Sequence, residues 1–143
     1  MAVYTKFSEK NIQSILSNYS IGNLNNFEGI EEGIENTNYL LLVDKKKYIL
    51  TVYEKRVKVE DLPFFSKLMI DLNKFGFECP VPILNTSNKP ITEFNNKKLM
   101  IVSFIEGKAK NILSTENCRS VGTVAAKMHE ITKKFKIKRK NDL

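Results

Sequence analysis

Two apolar runs separated by a short polar stretch constrain the fold more than any other feature of the sequence. The runs NYLLLV (residues 38–43) and YILTVYE (residues 48–54) are joined only by the four residues DKKK. Runs of this length, rich in aliphatic residues and tyrosine, are typical of β-strands. Because parallel strands need a crossover of about a dozen residues or more, so short a connection allows only antiparallel pairing. The sequence therefore predicts a β-hairpin.

Helix signals lie on both sides of this hairpin. Ser8 is a suitable N-cap, the apolar residues after it have helical spacing, and Gly22 is suited to ending a helix. A second helix is predicted within residues 59–76, and a third begins at Ser114 or Thr115. The apolar positions of the three helices are Ile12, Ile15, Leu16 and Tyr19, then Leu62, Phe65, Leu68, Met69 and Leu72, then Val121, Val124, Ala125, Met128 and Phe135.

Three further stretches complete the predicted sheet. NNFEGIEEG precedes the hairpin as a candidate strand, and ITEF and KLMIVSF follow the second helix. Antiparallel strands joined by short turns, with one helix inserted after the third strand, make an α+β fold of about five strands. The length of 143 residues suits one domain or one lobe of a larger protein.

The net charge of +7 is concentrated at one end of the sequence. Residues 133–140, KKFKIKRK, carry six basic side chains and no acidic one, which leaves a net charge of +1 for the rest of the chain. A dedicated nucleic-acid domain carries a distributed basic surface, so this pattern argues against nucleic acid as a partner. A non-enzymatic α+β binding module with a basic tail stays open as an alternative.

The cysteines, the histidine and the hydropathy pattern point away from several other classes. Cys79 and Cys118 are far apart in sequence and are predicted to be free, buried thiols. A single histidine, His129, argues against a zinc site, and its place in a helix favours a packed structural role. No stretch is long and apolar enough to span a bilayer, and no signal peptide is recognised. A cytoplasmic location without a membrane partner is therefore predicted.

Several stretches resemble, in order and spacing, the bacterial homoserine kinases of the aminoglycoside-phosphotransferase-like type. They are MAVYTKFSEKNIQSILSNYSIG, GIEEGIENTNYLL, YILTVYE, EDLPFF, FECPVPI, MIVSFIEG and VAAKMHE, and those around Asn36 and Phe64 are the most specific. The resemblance implies a protein-kinase-like small lobe over residues 1–106. It also implies that residues 107–143 form a connector and the first helix of a larger lobe.

Homoserine kinases transfer the γ-phosphate of ATP to the hydroxyl of L-homoserine, in threonine biosynthesis. The resemblance therefore implies ATP and Mg²⁺ as cofactors and L-homoserine as acceptor. The His-Gly-Asp-type loop and Asp-rich strand of the family have no match in these 143 residues. The expectation is the nucleotide-binding N-terminal portion of such a kinase, inactive on its own and without a catalytic residue. The alternative is a lobe of another small-molecule phosphotransferase, of the aminoglycoside, choline or methylthioribose type.

A glycine-containing turn ahead of the hairpin is the candidate phosphate-covering loop. The resemblance implies that Gly29 and Gly33 let the backbone bend close to the phosphates, with amide N–H groups turned toward them. Asn36 and Asn38 would add side-chain donors. Because the strict G-x-G-x-x-G pattern is not present, a plain hairpin turn without a ligand is the alternative.

The third strand departs from the wider kinase pattern. Ile49 and Thr51 share one face by the period of two. Thr51 stands where kinase-like proteins place a lysine that holds the α- and β-phosphates and pairs with a helix glutamate. Glu60 is the nearest match to that glutamate, and stabilising the dipole of the second helix is its alternative role.

The stretch MIVSFIEG resembles the kinase hinge, where backbone groups bind the adenine edge. The resemblance assigns these contacts to Ser103, Phe104 and Ile105, with Phe104 or Ile101 packing beside the base. An ordinary buried strand is the alternative. Under the nucleotide interpretation, the loop ahead of Asn36 and the strand ending at Phe104 are expected to form opposite walls of one slot.

Overall fold

The computed structural model of the protein describes residues 3–139, and its elements follow the predicted order. Within that range, the α-helices are α1 (Glu9–Leu16), α2 (Leu62–Lys74) and α3 (Thr115–Thr132). The strands are β1 (Leu24–Ile30), β2 (Thr37–Val43), β3 (Lys46–Val52), β4 (Thr92–Phe94) and β5 (Lys97–Ser103). The predicted α+β fold with about five antiparallel strands is confirmed.

The strands form one sheet in the order β1-β2-β3-β5-β4, and the β2–β3 hairpin is its centre. The hairpin pairs Val43 with Lys46, so its turn contains only Asp44 and Lys45. Both turn residues have positive φ, 43° and 67°. Such angles are typical of a two-residue type I′ turn, which matches the twist of the paired strands. The predicted hairpin is confirmed, with two of the four polar residues taken into β3.

One face of the sheet packs against α1 and forms the hydrophobic core. Alternate residues of β2, β3 and β5 point to this α1 face, as the period of two requires. The ring of Tyr39 stacks on Phe7, with 5.9 Å between the ring centres, which brings the segment ahead of α1 onto the same core. The buried residues of the core are Ile12, Ile15, Leu16, Tyr19, Tyr39, Leu41, Val43, Leu50, Leu99 and Ile101.

The opposite side of the sheet, here called the open face, carries the alternate strand residues that point away from α1. Cross-strand pairing puts Leu40, Ile49 and Val102 in one row. Asn38, Thr51 and the fully buried Met100 form the next row. The half-buried residues of the open face include Ile30, Asn38, Leu40, Leu42, Ile49, Thr51, Lys98 and Val102.

Helix α1 begins at the predicted cap and ends earlier than predicted. Ser8 forms a capping box with Asn11, whose backbone N–H donates to the Ser8 hydroxyl. The helix ends at Leu16 rather than near Gly22. The Ser17 hydroxyl donates to a carbonyl of the last turn at 2.8 Å, and bonds of this kind compete with continued helix.

Helix α2 follows a 3-10 turn (Val59–Asp61) and lies beside α3. Of its predicted apolar positions, Leu62 and Leu72 are buried and the three between them are half-buried. The Lys127 ammonium of α3 donates to the Gly76 carbonyl at 2.8 Å, just beyond the end of α2. The chain after α3 also turns toward α2, because the ring centres of Phe75 and Phe135 are 6.0 Å apart.

Helix α3 has no residue that the rest of the described chain buries. Its apolar positions Val121 and Val124 are 67% and 54% exposed. Cys118 and His129 are exposed as well, so the predictions of a buried thiol and a packed histidine are wrong at these two positions. An apolar helix stripe becomes a core only where another element covers it, and α2 does not cover this one.

Within residues 3–139, the structure offers neither a membrane span nor a metal cluster. No helix in that range is both long enough and apolar enough to cross a bilayer. No three His, Cys, Asp or Glu residues in the range come together in a way that would hold a metal ion. Cys79 and Cys118 are free thiols as predicted, and burial raises the pKa of Cys79.

A matched pair of valine substitutions tests the assignment of the core. Val43→Ala removes two methyl groups from a fully buried site of β2, and we expect the free energy of unfolding to fall by about 2 kcal/mol. Val124→Ala makes the same change on exposed α3, where we expect a change within about 0.5 kcal/mol. Urea denaturation measures both, and equal losses would contradict the assignment.

Candidate functional site

The predicted phosphate-covering turn is a short loop between β1 and β2. Residues 31–36, here called the glycine loop, connect Ile30 to Thr37. Gly33 has a φ of +106°, a conformation that residues with a Cβ rarely adopt. A Cβ at Gly33 would meet no atom within 4 Å, so the backbone angle rather than space requires glycine here.

Gly29 lies in β1 and not in the loop. It pairs with Tyr39 inside the regular antiparallel ladder. A Cβ at Gly29 would approach Cγ2 of Val3 to 2.9 Å, which is closer than normal packing allows. The small residue at this position therefore makes room for the segment ahead of α1, and the bend of the loop comes from Gly33.

A largely buried carboxylate anchors the base of the glycine loop. The backbone N–H of Glu54 donates to the side-chain oxygen of Asn36 at 3.3 Å. One carboxylate oxygen of Glu54 accepts hydrogen bonds from the hydroxyls of Thr5 (2.6 Å) and Thr37 (2.9 Å). The other oxygen pairs with the Lys97 ammonium at 2.6 Å, and only 11% of the Glu54 side chain is exposed. Four segments of the chain therefore meet at one charge.

These contacts fix the charge state of Glu54. Burial by itself would raise the pKa of the carboxyl. Hydrogen bonds from Lys97, Thr5 and Thr37, with the positive charge of Lys97, outweigh burial and lower the pKa of Glu54. The side chain is thus an anion at neutral pH, and its partner Lys97 is held at the edge of the α1 face.

Two of the predicted site residues contact each other on the open face. The hydroxyl of Thr51 donates to the side-chain oxygen of Asn38 at 2.8 Å, across the β2–β3 pairing. This bond orients the Asn38 amide and leaves its NH₂ group as a hydrogen-bond donor. Ile49 lies two residues along β3 on the same face, in a row with Leu40 and Val102. The open face therefore carries two polar side chains beside Met100 near the glycine loop and is apolar in its middle.

The predicted hinge strand has part of its hydrogen-bonding capacity in use. The Ser103 backbone N–H donates to the Val81 carbonyl at 2.9 Å, and the Ser103 hydroxyl accepts from the Val81 N–H at 2.9 Å. Phe104 and Ile105 follow the end of β5, with Ile105 exposed. The Lys47 ammonium lies 5.1 Å from the centre of the Phe104 ring, a cation–π distance. A donor to a bound base at this end would come from the residues after Ser103.

The glycine loop and the hinge strand lie at opposite ends of the sheet. Thr37 pairs with Val52 at the loop end, whereas Ser103 pairs with Tyr48 near the other end. Antiparallel strands carry the chain to alternate ends of the sheet, so the two segments would border a slot from its two ends, and their expected role as opposite walls of one slot stays a prediction. The two pairs are four residue steps apart along β3, a length of about 13 Å at 3.3 Å per residue.

The acidic residues around α2 do not assemble a metal site. Glu60 is exposed in the 3-10 turn and forms no ion pair within residues 3–139. Asp61 pairs with Arg139 at 2.8 Å, and Asp71 pairs with Lys67 at 2.7 Å. The described acidic side chains therefore do not gather three ligands for Mg²⁺ at any point.

Sequence reasoning missed the residues that support the site from the α1 face. Three of them, Tyr4, Thr37 and Glu54, lie in stretches that carry the family resemblance, but the resemblance gives them no role. They meet each other and Lys97 only through strand pairing and the path of the segment ahead of α1. One signal was available in the sequence. Glu54 directly follows an apolar strand, where a charged residue needs a partner if the surroundings are buried.

Comparison with protein families decides the class of this fold. A model described as the phosphotransferase enzyme family matches residues 26–141, which is most of the chain. The chain belongs to this family. The homoserine kinases of Sinorhizobium medicae (strain WSM419) and Rhizobium meliloti (strain 1021) are 40% and 41% identical to this phosphotransferase-family chain over all 143 residues. The chain spans 44% of the length of each of these relatives.

A solved structure supports the same assignment of fold. The spectinomycin phosphotransferase crystallised with ADP and spectinomycin superposes with a TM-score of 0.70 at 15% sequence identity. The match covers 94% of this phosphotransferase-family chain and 43% of that protein. The predicted kinase-like fold is thereby confirmed, and the family resemblance stated from the sequence motifs is confirmed with it.

The lowered pKa of Glu54 predicts a specific acid sensitivity. A carboxyl whose pKa is lower in the folded state stabilises the fold above its unfolded-state pKa, about 4.3 for glutamate, and this contribution disappears as pH falls through the lowered value. We expect Glu54→Gln to lower the free energy of unfolding by roughly 1–2 kcal/mol at neutral pH. We also expect the variant to lack the part of the acid-induced loss of stability that comes from protonation of Glu54. Denaturation curves recorded from pH 7 to pH 3 measure both effects.

The control for this experiment is Glu106→Gln. Glu106 pairs with Lys47 at 2.8 Å, but 76% of its side chain is exposed, so an ion pair there contributes little. We expect this variant to keep the neutral-pH stability of the wild type. A Glu54→Gln protein with a pH dependence identical to that of the wild type would contradict the role assigned to the Glu54 carboxylate.

Proposed function

We propose that this chain is the nucleotide-binding part of an ATP-dependent homoserine kinase. The observation that carries the proposal is the similarity of all 143 residues, at 40–41% identity, to two homoserine kinases. The reaction would be transfer of the γ-phosphate of ATP to the hydroxyl of L-homoserine, a step of threonine biosynthesis. Two free cysteines, Cys79 and Cys118, fit a reducing compartment, and we infer a cytoplasmic enzyme.

The open face would hold the nucleotide along its length. The apolar row of Leu40, Ile49 and Val102 offers a surface for the adenine base. The hinge residues would bind the edge of the base, through the Ser103 carbonyl and the N–H of Ile105. The length of about 13 Å between the two ends of the face suits an extended nucleoside triphosphate, with its phosphates toward the glycine loop.

At the glycine-loop end of the open face, the hydrogen-bond donors to the phosphates would be uncharged groups. Gly33 would allow backbone N–H groups of the glycine loop to face the phosphates. The Asn38 amide is oriented by Thr51 with its NH₂ group available to a phosphate oxygen. Thr51 carries no charge, and the nearby Lys97 is held by Glu54. Neutralisation of the phosphates would therefore depend mostly on Mg²⁺.

The residues described here do not fit a Mg²⁺ site on their own, so the metal ligands and the catalytic aspartate would belong to the part of the relatives that this chain does not match. We propose that residues 1–106 form the small lobe of the kinase. Residues 107–143 would form the connector and the first helix of the larger lobe. The exposed apolar positions of α3, including Val121 and Val124, would then pack against that larger lobe. We infer that this chain alone does not catalyse phosphoryl transfer.

One alternative function has an observation in its favour, and another has an observation against it. The fold is shared with a spectinomycin phosphotransferase, so an aminoglycoside or choline acceptor is the second candidate, although the identity there is 15% against 40%. A non-enzymatic module with a basic tail is the third. It is disfavoured because Arg139 of that tail pairs with Asp61 and lies 5.2 Å from the centre of the Phe65 ring.

A chimeric enzyme tests the proposed reaction. Joining this chain to the unmatched C-terminal part of the Rhizobium meliloti homoserine kinase is expected to give ADP release that requires both ATP and L-homoserine, at a kinase rate of about 1–100 s⁻¹. This chain alone and the C-terminal part alone are the controls, and both are expected to be inactive. A chimera that phosphorylates choline or an aminoglycoside but not homoserine would contradict the proposed acceptor.

A proline substitution tests the hinge assignment. Ile105→Pro removes one backbone N–H, and we expect it to weaken ADP binding about tenfold, the effect of losing one hydrogen bond. Ile105→Ala is the matched control, since it shortens the side chain and keeps the N–H, and we expect ADP affinity within about twofold of the wild type. Isothermal titration with ADP measures both variants. Equal affinities in the two variants would contradict adenine binding at Ile105.

A further inference from the structure

The segment ahead of α1 lies against the back of the glycine loop. Residues 3–8, here called the N-terminal segment, pack on the α1 face against β1, β2 and β4. The Phe7 backbone N–H donates to the Tyr39 hydroxyl at 2.9 Å, and that hydroxyl donates to the Thr5 carbonyl at 2.7 Å. The Val3 side chain packs where Gly29 has no Cβ. The segment is therefore held to both strands that flank the loop.

One contact of the N-terminal segment reaches the loop itself. The Tyr4 hydroxyl donates to the carbonyl of Ile34 at 3.0 Å. Ile34 directly follows Gly33, and its own side chain is 72% exposed. Among residues 3–139, this is the side-chain hydrogen bond to the loop nearest to the bend at Gly33.

The base of the loop is fixed by the same segment. The Thr37 hydroxyl accepts from the backbone N–H groups of Tyr4 (3.0 Å) and Thr5 (3.1 Å) and donates to Glu54. The Glu54 backbone N–H in turn donates to Asn36. The two ends of residues 34–37 are thus tied to the N-terminal segment, one directly through Tyr4 and the other through Thr37 and Glu54.

We propose that the N-terminal segment positions the glycine loop over the phosphates of the bound nucleotide, with Tyr4 as the positioning residue. This inference rests on the proposed nucleotide function. The segment lies on the α1 face, whereas the nucleotide would lie on the open face, so Tyr4 acts on the phosphates only through the loop. A loop that is already held by hydrogen bonds from the α1 face loses less conformational entropy when a ligand binds. The resulting gain in affinity is confined to ligands that the loop contacts.

Tyr4→Phe tests this inference because it removes only the hydroxyl. In the full 143-residue chain, we expect amide hydrogen exchange of residues 32–36 to become about three- to tenfold faster, as expected from the loss of one exposed hydrogen bond. We expect affinity for ADP to fall by a similar factor, and affinity for adenosine, which has no phosphates, to stay unchanged. Tyr48→Phe, elsewhere in the sheet, is the matched control, with wild-type exchange of residues 32–36.

A second set of variants separates positioning from loss of fold. Gly29→Ala adds the Cβ that would collide with Val3 and should displace the segment, with the same selective loss of ADP affinity. Adding Val3→Ala to it removes the collision and should restore ADP affinity. A direct role of Gly29 at the phosphates would not be rescued by a change at Val3.

The outcomes are distinct. Unchanged exchange and unchanged ADP affinity in Tyr4→Phe would overturn the positioning role while leaving the nucleotide function intact. Equal losses for ADP and adenosine would also overturn it, because they would indicate a general loss of structure. Failure of the wild-type chain to bind either compound would instead remove the proposed nucleotide function, and the inference with it.

Discussion

The period of two in β2, β3 and β5 is the constraint on which the rest of this structure depends. Tyr39, Leu41 and Leu50 are buried under α1, and each such side chain contributes roughly 1.5–3 kcal/mol when removed from water. A slip of one residue in the pairing would move this set to the other side of the sheet. The same register that builds the core therefore fixes which residues, Asn38 and Thr51 among them, face the candidate site.

The buried charge of Glu54 links the core to the glycine loop. A carboxylate that is largely removed from water must be paired and hydrogen-bonded, or it destabilises the fold. Its partners come from the N-terminal segment, from the start of β2 and from the start of β5. Folding of these segments is thereby coupled to the position of the loop, because all of them share a single anion.

Particular elements show how far the sequence could predict this structure. The β2–β3 hairpin and the Ser8 cap were predicted correctly, since each depends on residues close together in the chain. The close approach of Val3 to Gly29 and the engagement of Ser103 by Val81 were not predicted, because each joins segments that are distant in sequence. The exposed Cys118 was missed for a related reason: an apolar helix pattern does not say whether another element covers it.

The sequence by itself determined the strand and helix pattern, the need for glycine at a tight turn, and membership of the phosphotransferase enzyme family. Local preferences and motif order carry that information along the chain. Only the tertiary structure decided that the loop and the hinge strand lie at opposite ends of one sheet face, and that Tyr4 contacts the loop from the other side. Such relations follow from strand register and packing between distant segments, which no local pattern encodes.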